Sequence, residues 1–181
     1  VNDAPAGADN TLTTNEDTAL VFTTAAFGFT DAADGNALAA VRIGALPAAG
    51  ALTLNGAAVS AGQIVNAADI AAGRLVFTPT ANANGTGYAS FTFQVQDDGG
   101  TAYGGVNLDS TARTMTVNVT GVNDAPLGTS RSLSMTANTS LTLNAAHFGF
   151  SDSDDVPANA LAAVKISTLP TAGTLLLDGV A

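Results

Sequence analysis

Phe91-Thr92-Phe93-Gln94-Val95-Gln96 and Met115-Thr116-Val117-Asn118-Val119-Thr120 alternate apolar and polar residues without a break. A period of two sends every second side chain to one face, so each segment reads as a β-strand with one buried and one wet face. Weaker strand candidates lie at residues 19 to 23, 39 to 45, 51 to 54 and 74 to 78. Between them stand Pro47-Ala48-Ala49-Gly50, Asn55-Gly56 and Asn82-Ala83-Asn84-Gly85, which carry turn chemistry. Residues 66 to 73, Asn66-Ala67-Ala68-Asp69-Ile70-Ala71-Ala72-Gly73, have an Asn cap, an Ala-rich interior and a terminal Gly, and predict one short helix. About seven short strands joined by long connections predict an all-β chain folded as a Greek-key β-sandwich.

The same chain repeats itself. Val1-Asn2-Asp3-Ala4-Pro5 returns letter for letter as Val122-Asn123-Asp124-Ala125-Pro126, an offset of 121 residues. Phe27-Gly28-Phe29-Thr30-Asp31 returns as Phe148-Gly149-Phe150-Ser151-Asp152. After a two-residue insertion, Asn36-Ala37-Leu38-Ala39-Ala40-Val41-Arg42-Ile43 returns as Asn159-Ala160-Leu161-Ala162-Ala163-Val164-Lys165-Ile166. Leu46-Pro47 and Gly50 reappear as Leu169-Pro170 and Gly173, and Ala181 is the counterpart of Ala58. The arithmetic predicts a complete repeat over residues 1 to 121 and the N-terminal half of a second over residues 122 to 181. Opening on Val1 rather than Met, the chain reads as an excised piece of a longer protein.

Composition limits the function classes. Fifteen acidic side chains face five basic ones in 181 residues, a formal net charge of −10, so the chain has no footprint for nucleic acid. Cysteine is absent, which removes disulfides and thiolate metal sites. No apolar run of membrane-spanning length occurs and no signal peptide opens the chain, so no membrane insertion is expected. Fourteen of the acids are Asp and only Glu16 is Glu, which favours loops and short-reach oxygen ligation over helix surfaces. Without its 37 Ala residues the chain has a modest core, built on eight Phe with Leu, Ile and Val. Catalysis finds no support, because His147 is a lone histidine and neither a nucleophile elbow nor a phosphate loop is present. The chain is expected not to be an enzyme.

Three stretches carry a family resemblance. Thr30-Asp31-Ala32-Ala33-Asp34-Gly35-Asn36-Ala37-Leu38, the segment from Tyr88 to Gly100 with Asp97-Asp98 at its end, and Val122-Asn123-Asp124-Ala125-Pro126 resemble cadherin-type repeats. They are closest in kind to the bacterial cadherin-like tandem repeats of large biofilm-associated and RTX-type adhesins. The resemblance implies a cadherin-like, Ig-like sandwich and Ca²⁺ held at the junctions between repeats. It implies Asn123 and Asp124 as linker ligands, with Asn2 and Asp3 serving the junction upstream and Glu16 matching the acid near the end of the first strand. The acidic pair is implied at Asp152 and Asp154 in the second repeat and at Asp31 and Asp34 in the first, joined there by Asp97 or Asp98. Ca²⁺ takes six to eight oxygens, and short Asp and Asn side chains on loops supply them without a rigid cage.

The sequence departs from that pattern in places. Asp31 and Asp34 are three apart rather than two, and Asn82-Ala83-Asn84-Gly85 stands where an acidic loop is expected. Thr136-Ala137-Asn138 replaces Asn15-Glu16-Asp17 in the second repeat, so the junction downstream of that repeat is expected to bind less Ca²⁺ or none; its strand-end Asp is also missing, and fewer ions are expected at the internal junction than in a full cadherin linker. Asp69, Asp109 and Asp178 read as turn or cap residues, Asp9 has no motif around it, His147 reads as a solvated or edge residue, and Tyr88 and Tyr103 fit strand ends.

Two functions follow as expectations. One is a Ca²⁺-rigidified extracellular spacer of a large bacterial surface adhesin, its partners the neighbouring repeats of the same chain, supporting attachment and biofilm formation. The other is a self-associating surface filament or layer, in which neighbouring chains complete the half repeat through homophilic contact.

Overall fold

Phe91, Phe93 and Val95 are buried and Thr92, Gln94 and Gln96 half-buried, as a period of two requires. Met115, Val117 and Val119 are buried in the same way. The computed structural model describes every residue, Val1–Ala181, in two units, Val1–Asn123 and Asp124–Ala181.

The first unit is a sandwich of two sheets. Its strands are β1 (Asn10–Asn15), β2 (Leu20–Val21), β3 (Leu38–Ile43), β4 (Ala51–Leu54), β5 (Ala57–Ala58), β6 (Ile64–Asn66), β7 (Leu75–Thr78), β8 (Gly85–Asp97) and β9 (Arg113–Thr120). One sheet has the order β1-β9-β8-β3-β6 and the other β2-β7-β4-β5. The chain crosses between the sheets at every step except β4 to β5 and β8 to β9, and β1 runs parallel to β9 while the other pairs are antiparallel. The all-β sandwich expected from the alternation is therefore present, with nine strands rather than about seven. The extra ones are short or polar: β5 and β6 are two and three residues long, and β1 is Asn-Thr-Leu-Thr-Thr-Asn, with little apolar alternation to announce it. Gly85, expected in a turn, begins β8. The single α-helix, α1 (Ala67–Ala71), starts after Asn66, whose side chain makes no capping bond, and buries Ile70.

Between the sheets the core is aromatic. Phe22 meets Phe91 edge to face at 5.5 Å, and Phe27 meets Phe93 at 4.9 Å. Such offset ring pairs add about 0.5–1.5 kcal/mol to the area they bury. Phe22 and Phe27 lie outside the strands, Phe27 within a 3-10 turn (Thr24–Phe27) that ends on Gly28 in the left-handed region, φ 56°. A Cβ at Gly28 would stand 2.7 Å from the Ala8 Cβ, so the turn needs glycine for space as well as conformation.

The second unit keeps the turns of the first but none of its strands. Its 3-10 turn (Ala145–Phe148) ends on Gly149 at φ 57°, and the bridge Ala6–Thr30 recurs as Leu127–Ser151. Asn55 and Gly56, at φ 50° and 78°, recur as Asp178 and Gly179, at φ 51° and 82°. The strands do not recur because their partners belong to the other half of the repeat. β1 pairs with β9, β2 and β4 with β7, and β3 with β8 and β6, whereas the β4–β5 hairpin is local and survives as the bridge Leu177–Val180. His147 accepts the Asn144 N–H through Nδ1, closing a capping box, rather than standing as a merely solvated side chain.

Candidate functional site

At the end of the sandwich where β8 finishes, the Asp31-to-Asn36 loop, the N-terminal segment and Asp97 come together. Asp31 accepts N–H bonds from Asp34 at 3.1 Å and Asn36 at 3.2 Å, folding the loop around its own carboxylate. The N–H of Asp3 donates to Asp34 at 2.5 Å. Asn36 Nδ2 donates to Asn2 Oδ1. Asn2 Nδ2 in turn donates to both oxygens of Asp97, at 3.1 and 3.3 Å, and to the Val106 carbonyl at 2.7 Å. Asp97 is almost fully buried and also accepts the Gly99 N–H at 2.9 Å. Asp98 is exposed and accepts the Ala37 N–H at 2.9 Å. Six of the residues singled out from sequence (Asn2, Asp3, Asp31, Asp34, Asp97, Asp98) thus belong to one hydrogen-bonded neighbourhood.

Glu16 is elsewhere, at the opposite end of the sheet where β1 and β9 finish. Its buried carboxylate accepts the Val122 N–H at 2.5 Å and the Asn84 side chain at 3.2 Å. Asn123, exposed, lies beside that latch in sequence.

In the second unit the neighbourhood of Asp31 and Asp34 is rebuilt. The N–H of Asp124 donates to Asp155 at 3.0 Å, and the N–H of Asn159 donates to Asp152 at 3.1 Å. Asn159 Nδ2 reaches Asp155 at 2.8 Å. Asp155 accepts from Asp124 as Asp34 accepts from Asp3. It was absent from the acidic pair implied by the resemblance, although the 121-residue offset carries Asp34 onto it. Asp152 and Asp155 are both buried, and Asp152 Oδ1 has no hydrogen-bond partner. In neither unit do three or more carboxylate or imidazole side chains converge in a group that would itself hold a metal.

Cations are scarce around these groups. Two ion pairs form, Arg74 with Asp69 at 2.7 Å and Arg113 with Asp109 at 3.1 Å. Asp109 is more than the turn residue expected: it is buried, and one oxygen also takes the Gly7 N–H at 2.8 Å while the other takes the Thr111 N–H at 2.8 Å. Burial works to raise its pKa, but the Gly7 and Thr111 N–H bonds and the Arg113 guanidinium outweigh it and hold the carboxyl below its ordinary value. Asp9, which shows no motif, accepts the Thr114 N–H at 2.7 Å and ties the N-terminal segment to β9. Tyr103 is not at a strand end but almost fully exposed in the loop between β8 and β9, whereas Tyr88 lies in β8 against Phe77.

The family model of the bacterial Ig domain matches residues 2–120. The chain belongs to the bacterial Ig domain family. The match runs over the first sandwich, whose two sheets are those of an Ig-type domain. Bacterial Ig domains are typically structural rather than catalytic, and they usually lie outside the cell or at its surface. No curated protein and no solved structure matches the chain. No helix is long and apolar enough to cross a membrane.

Proposed function

We propose that this bacterial Ig domain chain is a Ca²⁺-stiffened spacer from a large surface adhesin, of the cadherin-like, RTX-associated kind that the linker and acidic motifs resemble, and that it serves attachment and biofilm formation outside the cell. The observation that carries the reading is Asp152: a buried carboxylate oxygen without a hydrogen-bond partner, close to a second buried carboxylate, Asp155, and with no cationic side chain paired to either. Burying charge without compensation is costly, and a hard cation relieves that cost where a lysine or arginine is not supplied.

The donor chemistry suits such an ion. No more than two carboxylates would reach one ion: Asp152 with Asp155 in the second unit, and Asp31 with Asp34, beside Asn2, in the first. Because carboxylates alone do not complete either set, Asn and backbone oxygens would supply the remainder. Bound at the start of each repeat, the ion would remove freedom from Val122-Asn123-Asp124-Ala125-Pro126, and the acidic excess would keep successive repeats apart.

Scattering and thermal melting, each in chelator and in a few millimolar Ca²⁺, test the reading. The expected result is a longer particle and a higher melting temperature with Ca²⁺. Unchanged length and melting temperature would sink it.

A further inference from the structure

We propose that the two acidic loops, residues 31 to 36 and 152 to 159, are unequal Ca²⁺ sites, that the second fills first, and that the two-residue insertion after Asp155 sets this order. The inference rests on the calcium reading above and adds to it an order of occupancy. Both loops close in the same way: the Asn36 N–H donates to one oxygen of Asp31 at 3.2 Å, and the Asn159 N–H to one oxygen of Asp152 at 3.1 Å. The other oxygen separates them. In unit one it takes the Asp34 N–H at 3.1 Å, whereas Asp152 Oδ1 takes no bond although Asp152 is only 8% exposed. Both donors in unit one belong to the loop itself and both have counterparts in unit two, Asp155 and Asn159, so the difference lies in the path of the loop.

The sequence supplies the cause. Gly35, at φ 73°, lets the short loop turn back through the left-handed region directly after Asp34. Its counterpart after Asp155 is Val156, whose β-branch and following Pro157 disfavour that region. Only the shorter path brings the N–H of the middle Asp onto the first carboxylate. The longer loop instead ties its acids together, Asn159 holding Asp152 through its backbone N–H and Asp155 through Nδ2 at 2.8 Å. In unit one the Asn36 side chain goes to Asn2. Energetics then orders the sites. A carboxylate with an N–H on each oxygen has already recovered part of its lost hydration, so an ion there adds less. A buried oxygen with no partner carries its full desolvation cost in the ion-free state, and a hard cation removes that cost on binding. The second acid of each pair adds to the contrast, since Asp34 is exposed and its charge stays hydrated, whereas Asp155 is buried.

The test titrates Ca²⁺ into the 181-residue chain and follows the backbone amide resonances of Asn36 and Asn159, one reporter in each loop. The expected result is half-saturation at Asn159 at a Ca²⁺ concentration about tenfold or more below that at Asn36. Replacing Val156-Pro157-Ala158 by a single glycine, as in unit one, should raise the Asn159 midpoint to that of Asn36. The converse exchange, Val-Pro-Ala in place of Gly35, should lower the Asn36 midpoint, and it decides the matter if the shortened second loop misfolds. Coincident midpoints in the native chain, or an order that survives both exchanges, would overturn the proposal and leave the calcium reading standing. No response of either amide at several millimolar Ca²⁺ would overturn both.

Discussion

The backbone N–H of Asp124 donates to the carboxylate of Asp155 at 3.0 Å, repeating 121 residues later the bond from Asp3 to Asp34. The repeat therefore conserves an interaction, not only letters. Asp155 inherits the role of Asp34, and the two-residue insertion falls after it, within Val156-Pro157-Ala158-Asn159. If an ion is held here, Asp155→Ala should weaken Ca²⁺ binding about tenfold more than Asp154→Ala does, measured by calorimetric titration. Equal effects would show that Asp155 has no greater part in holding the ion than Asp154.

Asp109→Asn should destabilise the first unit by about 1–3 kcal/mol at pH 7, because it weakens charge-assisted bonds to Gly7, Thr111 and Arg113. The folded-state pKa lies below the ordinary 3.8, so this stabilisation is present above that value and is lost as pH falls through the folded one. Urea melts should show a wild-type advantage that is constant near neutrality and shrinks below about pH 4. A gap that does not change with pH would contradict the assignment.

Gly50→Ala and Gly173→Ala separate the two units. Gly50 has φ 70° and faces Phe77 and the Thr78 carbonyl, so Ala there should cost about 2 kcal/mol or more in the unfolding of unit one. Gly173 has φ 79° with open space, so its substitution meets backbone strain alone, about 1 kcal/mol. Denaturation of the two variants should show the first lowering the unit-one midpoint and the second leaving it where it is.

Glu16→Ala should free Val122 from the end of the sandwich, since both Val122 and Asn84 lose their acceptor. A loss of about 1–3 kcal/mol in unit-one stability is expected. Limited proteolysis should cut faster at residues 121 to 124, and an unchanged cleavage rate would show that the latch does not restrain the segment.

The sandwich was legible wherever one face of a strand is apolar, as at Phe91 to Gln96 and Met115 to Thr120. It was not legible at Asn10–Asn15, whose strand is stabilised by parallel pairing to β9 and not by its own pattern. Asn2, Asp3 and Asp31 stood out as candidates because they recur as Asn123, Asp124 and Asp152, whereas Asp97 and Asp98 have no counterpart in this chain and were named through the resemblance alone. Which acid stands beside which was not legible, because Asx-type bonds depend on loop geometry that spacing alone does not fix. Asp109 was read as a turn because its partners Gly7 and Arg113 reach it from another segment and from the next strand. Unit two shows the same dependence from the other side: Leu161 to Ile166 repeats the apolar pattern of β3 and forms no strand without β8 and β6 beside it.

Calorimetric titration of Ca²⁺ into the chain, beside Asp152→Asn, tests the calcium reading most directly. Saturable binding with Kd on the order of 10⁻⁴ to 10⁻³ M, weakened in Asp152→Asn, is the predicted result. Absence of binding at several millimolar Ca²⁺ would contradict it and leave these carboxylates as turn-forming groups.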